Sequence, residues 1–569
     1  MPYPGSYFTT IGGKIQSILS EPTTERLLII GTAVDGPLNR PTRITDAQQA
    51  EKIFGPGIYT KGYKDPITGT LSGANNGASI PRAIGQAIAA GCSDIYVVRA
   101  TGTYATLPSA FSSKLSLKAT NPGRIYNEVV MTVANSSTGL AVTLTQPSQK
   151  GISFTSYFAS SLTVSEVIDR LNGDRRNTCL YINREAYPTY LVSACTTIGS
   201  GTATLAGGTN GCQAPGEDYA SNLYGYATAL TATDTGTFDT LLGLRFRFNV
   251  AVMTGLYLDD QVVSGGSATS TTIATDFVLF LDACSTEISP CHGVMGVRPP
   301  NLRDDTALIN YINNNLLTTT AAAWDATQKW NCAGYFLYTG WVRADPVAGT
   351  VDLGKLLSVC AGPECVFSNN DIGRFTDNFH VAYAAMLTTM PPERAPIFKA
   401  IPGVTTYGNA LPAKYCNKLV EGVGFDQNND ISGKGAYVCL TRNPRDPFGP
   451  MVVFDDSTVA ARDDYFRNYQ LIHLCNSIHG DLDYALSSFI GGPASTATLA
   501  AMESQVQNIL DGYVSSNALR GARGQGYDFK ITMSGTDQAL GIVRVFLDLF
   551  PATAIRKIYF VVQVKQSNN

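Results

Sequence analysis

Two short apolar runs, Leu27–Ile30 and Ile95–Val98, constrain the fold of this chain most. Each has the length of a strand and is bounded by glycine or a charged residue, which reads as a buried strand. The residues between them carry loop and helix signals. Gly31 is followed by a turn-forming Asp35-Gly36-Pro37. Pro41 and Ile44 carry an extended piece, and a helix then opens with Thr45 as N-cap and Gln48 as its capping-box partner. Ala47, Ala50, Ile53 and Phe54 form its apolar face, and Gly55 stops it in the left-handed position. A second helix spans 79–91, with Pro81 in its first turn, Ile80, Ile84, Ala87 and Ile88 on one face, and Gly91 at its end. Strands alternating with helices predict an α/β core.

A glycine turn after a strand invites a nucleotide-binding reading. Gly31 and Gly36 do not make G-x-G-x-x-G, and the helix does not begin at the turn, so the reading is set aside. At 569 residues the chain is long enough for roughly three to five domains. Its 44% hydrophobic and 15% charged content is that of a folded chain. A net charge of −4 gives no footprint for nucleic acid, and no apolar run reaches the length of a membrane span. The N-terminus has no secretory signal pattern, so synthesis in the cytosol is expected.

The texture turns β-rich and Thr/Ser-rich from about Leu107 to Leu205. Further on, Phe248–Tyr257, Phe277–Asp282 and Gly293–Pro300 read as strands among polar or helical stretches. A helix begins at Arg467–Leu474, and 495–514 is amphipathic, with Leu499, Met502, Val506, Ile509, Leu510 and Tyr513 on one side. Strands are expected at Tyr527–Lys530, Gly541–Phe550 and Ile555–Gln566; the last is an aggregation hazard unless paired.

Catalytic and metal chemistry find little to stand on. His292, His380, His473 and His479 are scattered; His473 and Cys475 lie close, but no further ligand has zinc spacing. Asp426, Asn428 and Asp430 imitate a calcium loop, but Ile431 and Tyr437 stand where glycine and glutamate are required. Gly433-Lys434-Gly435 lacks the rest of a P-loop, and no G-x-S-x-G occurs. No catalytic residue, cofactor site or metal site is assigned. The twelve cysteines include no C-x-x-C. They read as reduced buried thiols, with Cys284/Cys291 and Cys360/Cys365 as the nearest pairs for a disulfide of unassigned partners. From Leu519 to Asn569 seven basic and three acidic residues give a net +4, which suits either a solvated face or a surface toward an acidic partner.

Several pieces of the chain resemble, in order, the contractile tail sheath proteins of bacteriophages and related injection particles. They are Ile30-Gly31-Thr32-Ala33, Asp35-Gly36-Pro37-Leu38-Asn39-Arg40-Pro41, Phe54-Gly55, Val97-Val98-Arg99, Asn121-Pro122-Gly123 and Leu205-Ala206-Gly207-Gly208-Thr209-Asn210-Gly211. Asn210 stands where the family usually has Asp. Tyr335–Pro346 and Gly433–Leu440 match more loosely.

The resemblance implies a multidomain α/β and α+β fold, with an α/β sheath core, an inserted β-rich outer domain and extended terminal arms. The divisions expected are a linking arm at 1–22, core at 23–103, outer domain at 104–205, core again at 206–470, a tube-facing domain at 471–554 and a linking strand at 555–569. It implies a non-enzymatic subunit that polymerises as stacked hexameric rings around a tail tube, contacts baseplate and tail terminator proteins, and contracts to drive the tube through the host envelope. Such a subunit belongs to a virion tail assembled in the host cytoplasm. It touches no nucleic acid directly and inserts in no membrane. Ile558, Phe560, Val562 and Val564 are the expected inward set of the linking strand, and Arg520, Arg523 and Lys530 the tube-facing cations. A headless bacteriocin or injection-system sheath is the alternative within the class; an α/β enzyme or carbohydrate-binding surface protein is the alternative outside it.

Overall fold

The computed structural model describes residues 25–55, 63–64, 71–72, 78–110, 115–136, 139–146, 153–182, 200–211, 226–258, 263–264, 267–268, 273–297, 342–345, 349–361, 365–369, 373–406, 437–443, 446–460, 465–493, 495–522, 525–535, 537 and 541–553. Along the chain, β1 (Leu27–Gly31), β2 (Thr42–Ile44), α1 (Ala47–Phe54), α2 (Ile80–Ala89) and β3 (Ile95–Arg99) come first. An inserted unit follows: β4 (Tyr104–Ala110), β5 (Leu115–Pro122), β6 (Val130–Ser136), β7 (Gly139–Thr145), β8 (Phe154–Ala159), α3 (Val164–Gly173), β9 (Leu180–Ile182) and β10 (Gly201–Thr204). The chain then returns through α4 (Thr237–Gly243), β11 (Val250–Met253), α5 (Ile273–Glu287), β12 (His292–Gly296), β13 (Leu357–Cys360), α6 (His380–Leu387) and β14 (Tyr437–Val438). It ends in α7 (Tyr469–Ser487), α8 (Thr496–Ser515), β15 (Tyr527–Thr532) and β16 (Arg544–Leu549).

The fold is mixed α/β and α+β. Its centre is a sheet in the order β2-β3-β1-β11-β12-β13-β14, parallel except at the β2 edge. Leu28, Ile30, Ala251 and Met253 face a layer holding Phe238 of α4 and Phe277 and Phe280 of α5. Leu27, Ile29, Val250 and Val252 face α1, α2 and α6 on the other side. All five residues of β1 are buried, which is why the run shows no polar alternation.

The inserted unit packs a four-stranded sheet (β8-β7-β6-β10) and a three-stranded sheet (β9-β5-β4) with α3 around its own apolar cluster. Thr163 and Glu166 close a complete capping box on α3. In the last unit α7 and α8 cover one face of the antiparallel β15–β16 pair, with Ile478, Leu482, Val506, Leu510 and Leu547 at its centre.

Several sequence expectations need correction. Phe277–Asp282 is not a strand but the middle of α5. A short apolar run cannot separate the two by itself; the helical period emerges from burial, with Phe277, Phe280, Leu281 and Cys284 buried and Leu279 53% exposed. The cap of α1 is Asp46, not Thr45: its Oδ1 accepts from Gln49 N at 2.7 Å, and Gln49, not Gln48, reaches back to Thr45 N at 2.8 Å. Gly55 has φ +84 but ψ 173, so it is not left-handed helical; a Cβ there would stand 2.3 Å from Val34 Cγ2. Ile88 is 37% exposed, while Ala83 and Gln86 are buried in its place, because α2 is covered by α6 as well as by the sheet.

Candidate functional site

The motif glycines, prolines and asparagines are far apart in sequence and meet around one side chain. Arg99 ends β3, its apolar neighbours give it no exit, and it is 0% exposed. Its guanidinium is surrounded by backbone carbonyls. Nε donates to Thr101 O at 2.8 Å, Nη1 to Pro122 O at 2.6 Å and Gly36 O at 3.2 Å, and Nη2 to Asn210 O at 3.4 Å. A planar fork of fixed donors suits this better than a lysine point charge. The carbonyls come from the loop after β1, the start and return of the inserted unit, and the end of β5, so one residue joins the unit to the sheet.

The surrounding turns explain the residue types. Gly123 has φ +151, and a Cβ would lie 2.7 Å from Val34 O. Gly208 packs against Gly123 O so closely that a Cβ would lie at 2.4 Å. Asp35, also 0% exposed, accepts from Gly36 N at 2.7 Å and from Tyr126 Oη at 2.6 Å. Burial, then the Asp35 charge, pushes the Tyr126 phenol up, so it stays a donor. Asn39 receives a bond from Thr237 Oγ1 at 2.7 Å and ties the same loop to α4. Asn210 Oδ1 accepts from Arg124 N at 2.9 Å. That is acceptor work an aspartate would do equally well.

In open parallel sheets ligands bind beyond the strand ends where connections diverge. Here that place lies at the ends of β1 and β11, and it is filled. Ser79, the residue before α2, accepts from Thr32 N at 3.0 Å and donates to Thr254 O at 3.1 Å instead of capping the helix. Tyr226 Oη donates to Thr254 O at 3.0 Å from the other side. A Cβ on Gly31 would stand 2.6 Å from Thr254 Cγ2. One strand further along, Tyr257 Oη donates to Asp377 at 2.5 Å, Asn378 Nδ2 donates to Val297 O and Cys360 O, and His380 Nε2 contacts Met253 O at 3.2 Å. These side chains stitch strand ends together and leave the crevice closed.

The four histidines are buried, with His292 and His473 on either side of Tyr469. His292 pairs with Ser358 Oγ at 2.9 Å; burial, then His473, lowers its pKa to about 3. Burial, then Arg247, does the same to His479, also to about 3. Burial lowers His380 against the opposing pull of Asp377. His473 bonds to Glu25 Oε1 at 2.7 Å. Among the described residues, no three His, Cys, Asp or Glu side chains gather where a metal could sit.

Other singled-out residues fall as follows. Cys284, Cys291, Cys360 and Cys365 are free buried thiols; burial pushes Cys284 and Cys360 well up, with Cys291 and Cys365 as their neighbours. Arg520 and Lys530 are exposed. Arg544 in the same unit is engaged by Asp537 at 2.8 and 3.1 Å. Arg523, the linking set Ile558, Phe560, Val562 and Val564, the arm 1–22 and the Asp426–Asp430 turn lie outside the described residues. No described helix is long and apolar enough to cross a membrane. Sequence reasoning missed the Arg99 joint and the Glu25–His473 pair. The available signal for the first was an arginine closing an apolar buried strand.

Comparison with known proteins places the chain beside solved sheath structures. It is similar to a sheath tail protein of Listeria innocua, at 12% identity over 91% of this chain and 90% of that one, with a TM-score of 0.48. A sheath tail protein of Desulfitobacterium hafniense matches at 12% identity over 91% and 92%, with a TM-score of 0.44. The sheath of an extracellular contractile injection system in its contracted state matches at 11% identity over 100% and 98%, with a TM-score of 0.45. No protein-family model matches the chain, and no curated protein does.

Proposed function

We propose that the chain is a non-enzymatic structural subunit of a contractile tail sheath. The observation that carries the reading is the ordered set of sheath-like motifs, whose residues converge on the Arg99 joint rather than on a reactive centre. Subunits assemble as stacked hexameric rings around a tail tube, bounded by baseplate and terminator proteins. Contraction is then a change between two packings of one rigid fold, the shorter lower in free energy, and helical growth follows from heterologous contacts that do not close. The particle is a virion tail assembled in the host cytoplasm; a headless injection particle is the second version.

The last unit supplies the attachment point. A two-stranded sheet is marginal by itself. Among the described residues, neither outer edge of β15–β16 pairs with another strand, and Phe546 and Phe550 are 44% and 52% exposed. Such edges accept added strands. Residues 1–22 and 555–566 of neighbouring subunits fit that role, with Ile558, Phe560, Val562 and Val564 pointing inward. Arg520, Arg523 and Lys530 face the tube. The test is sedimentation of the full chain against a chain lacking 555–569. The full chain should pellet as assemblies and the truncated chain remain a folded monomer; equal sedimentation of the two overturns the linking role.

A further inference from the structure

The chain enters its central sheet at Glu25 and Arg26, and these two residues are tied to three separate elements. Glu25 Oε1 lies 2.7 Å from His473 Nε2 on α7, with the imidazole side chain only 3% exposed. Tyr469 stacks on His473 with ring centroids 5.4 Å apart and meets His292 at a tilt with centroids 4.7 Å apart, and so holds the imidazole from the sheet side. Arg26 Nε donates to Asp94 Oδ2 at 3.2 Å, just before β3, and its guanidinium lies over the Tyr96 ring. Asp94 is held at the same time by Arg43 Nε at 2.9 Å. The Arg26 backbone N–H donates to Asn249 Oδ1 at 2.9 Å, and its carbonyl accepts from Asn249 and Val250 at the start of β11.

Beyond this point β1 runs between β3 and β11, parallel to both. Tension applied N-terminal to Glu25 along the strand therefore loads both ladders in shear, with every bond strained together instead of one after another. We propose that the Glu25–His473 and Arg26–Asp94 pairs form a mechanical clamp that passes tension from residues 1–24 into the sheet and α7 at once. The Glu25 pair is the stronger half, because its 2.7 Å bond is sheltered from water, whereas the Arg26 side chain is 41% exposed. The inference rests on the linking-arm reading of residues 1–22 for its purpose. The clamp itself is a property of one subunit.

The test uses single full-length subunits held by their two termini in an optical trap. Glu25→Ala and His473→Ala should each raise the rate at which the central sheet gives way under fixed load, by about tenfold for one sheltered hydrogen bond whose remaining partner is left unsatisfied. The double variant should be no faster than either single one, because both remove the same bond. Arg176→Ala, which cuts an exposed pair with Asp174 in the inserted unit, should leave the rate unchanged. Should an alanine variant fail to fold, Glu25→Gln exchanges the carboxyl for an amide of the same shape and should still raise the rate. Unchanged rates, or additive effects in the double variant, overturn the clamp. No assembly enters this experiment, so its failure leaves the sheath reading standing, and a failure to form sheaths leaves the clamp standing.

Discussion

The central sheet and the terminal β15–β16 pair are built from similar residues and treated oppositely. Every residue of β1 is buried between two strands and two helical layers. The terminal pair has one face on α7 and α8, while Phe546 and Phe550 on β16 and just after it stand exposed. The difference separates a sheet buried on both faces from a pair with one buried face and, among the described residues, two unpaired edges.

Breaking the body should have the largest effect. Arg99→Ala removes one charge and strands several buried carbonyls, and should cost about 3–5 kcal/mol in chemical denaturation of the core. Arg99→Lys should recover only part, since an ammonium cannot reach carbonyls spread over a fork. The terminal unit should respond locally: Leu510→Ala opens a cavity against Val506 and Leu547 and should cost about 2–5 kcal/mol there. Hydrogen exchange should then rise in β15 and β16 while β1 and β3 keep their protection.

Acid comes next. His292 and His479 are buried, with pKa values lowered to about 3. The unfolded chain binds their protons from an ordinary value of about 6.5, so stability is complete above that pH and declines as pH falls toward 3. The slope should be about 1.4 kcal/mol per pH unit for each histidine, and His292→Gln should flatten it measurably between pH 6 and 4. The smallest effect on the monomer belongs to the open face. Phe546→Ser should change monomer stability by no more than about 0.5 kcal/mol, yet impair pelleting of the full chain.

Much of the body was legible in the sequence because its signals are local. Leu27–Ile30 and Ile95–Val98 read as buried strands because a charged residue or glycine bounds each at strand length, and Pro81 and Gly91 bracket α2. The strands β4 to β8 were legible from the change to a β-rich texture after Leu107. What could not be read is set by tertiary partners. Phe277–Asp282 has the composition of a strand, and only the burial of one face by Phe238 and the sheet makes it a helix. Ser79, at the start of the helix expected over 79–91, does not cap it but bonds to Thr32 and Thr254, which lie 47 and 175 residues away in sequence. The Arg99 joint draws on loops more than a hundred residues apart, |i−j| being 111 for Asn210, and no window of sequence contains it. Glu25 and His473 are further apart still.

The most direct test of the sheath reading is negative-stain microscopy of the purified full chain at high concentration, alone and after incubation with tail tubes. Long hollow cylinders or stacked six-fold rings, lost when 555–569 is removed, are the predicted result. Monodisperse single particles under every condition, with tubes left bare, would contradict it.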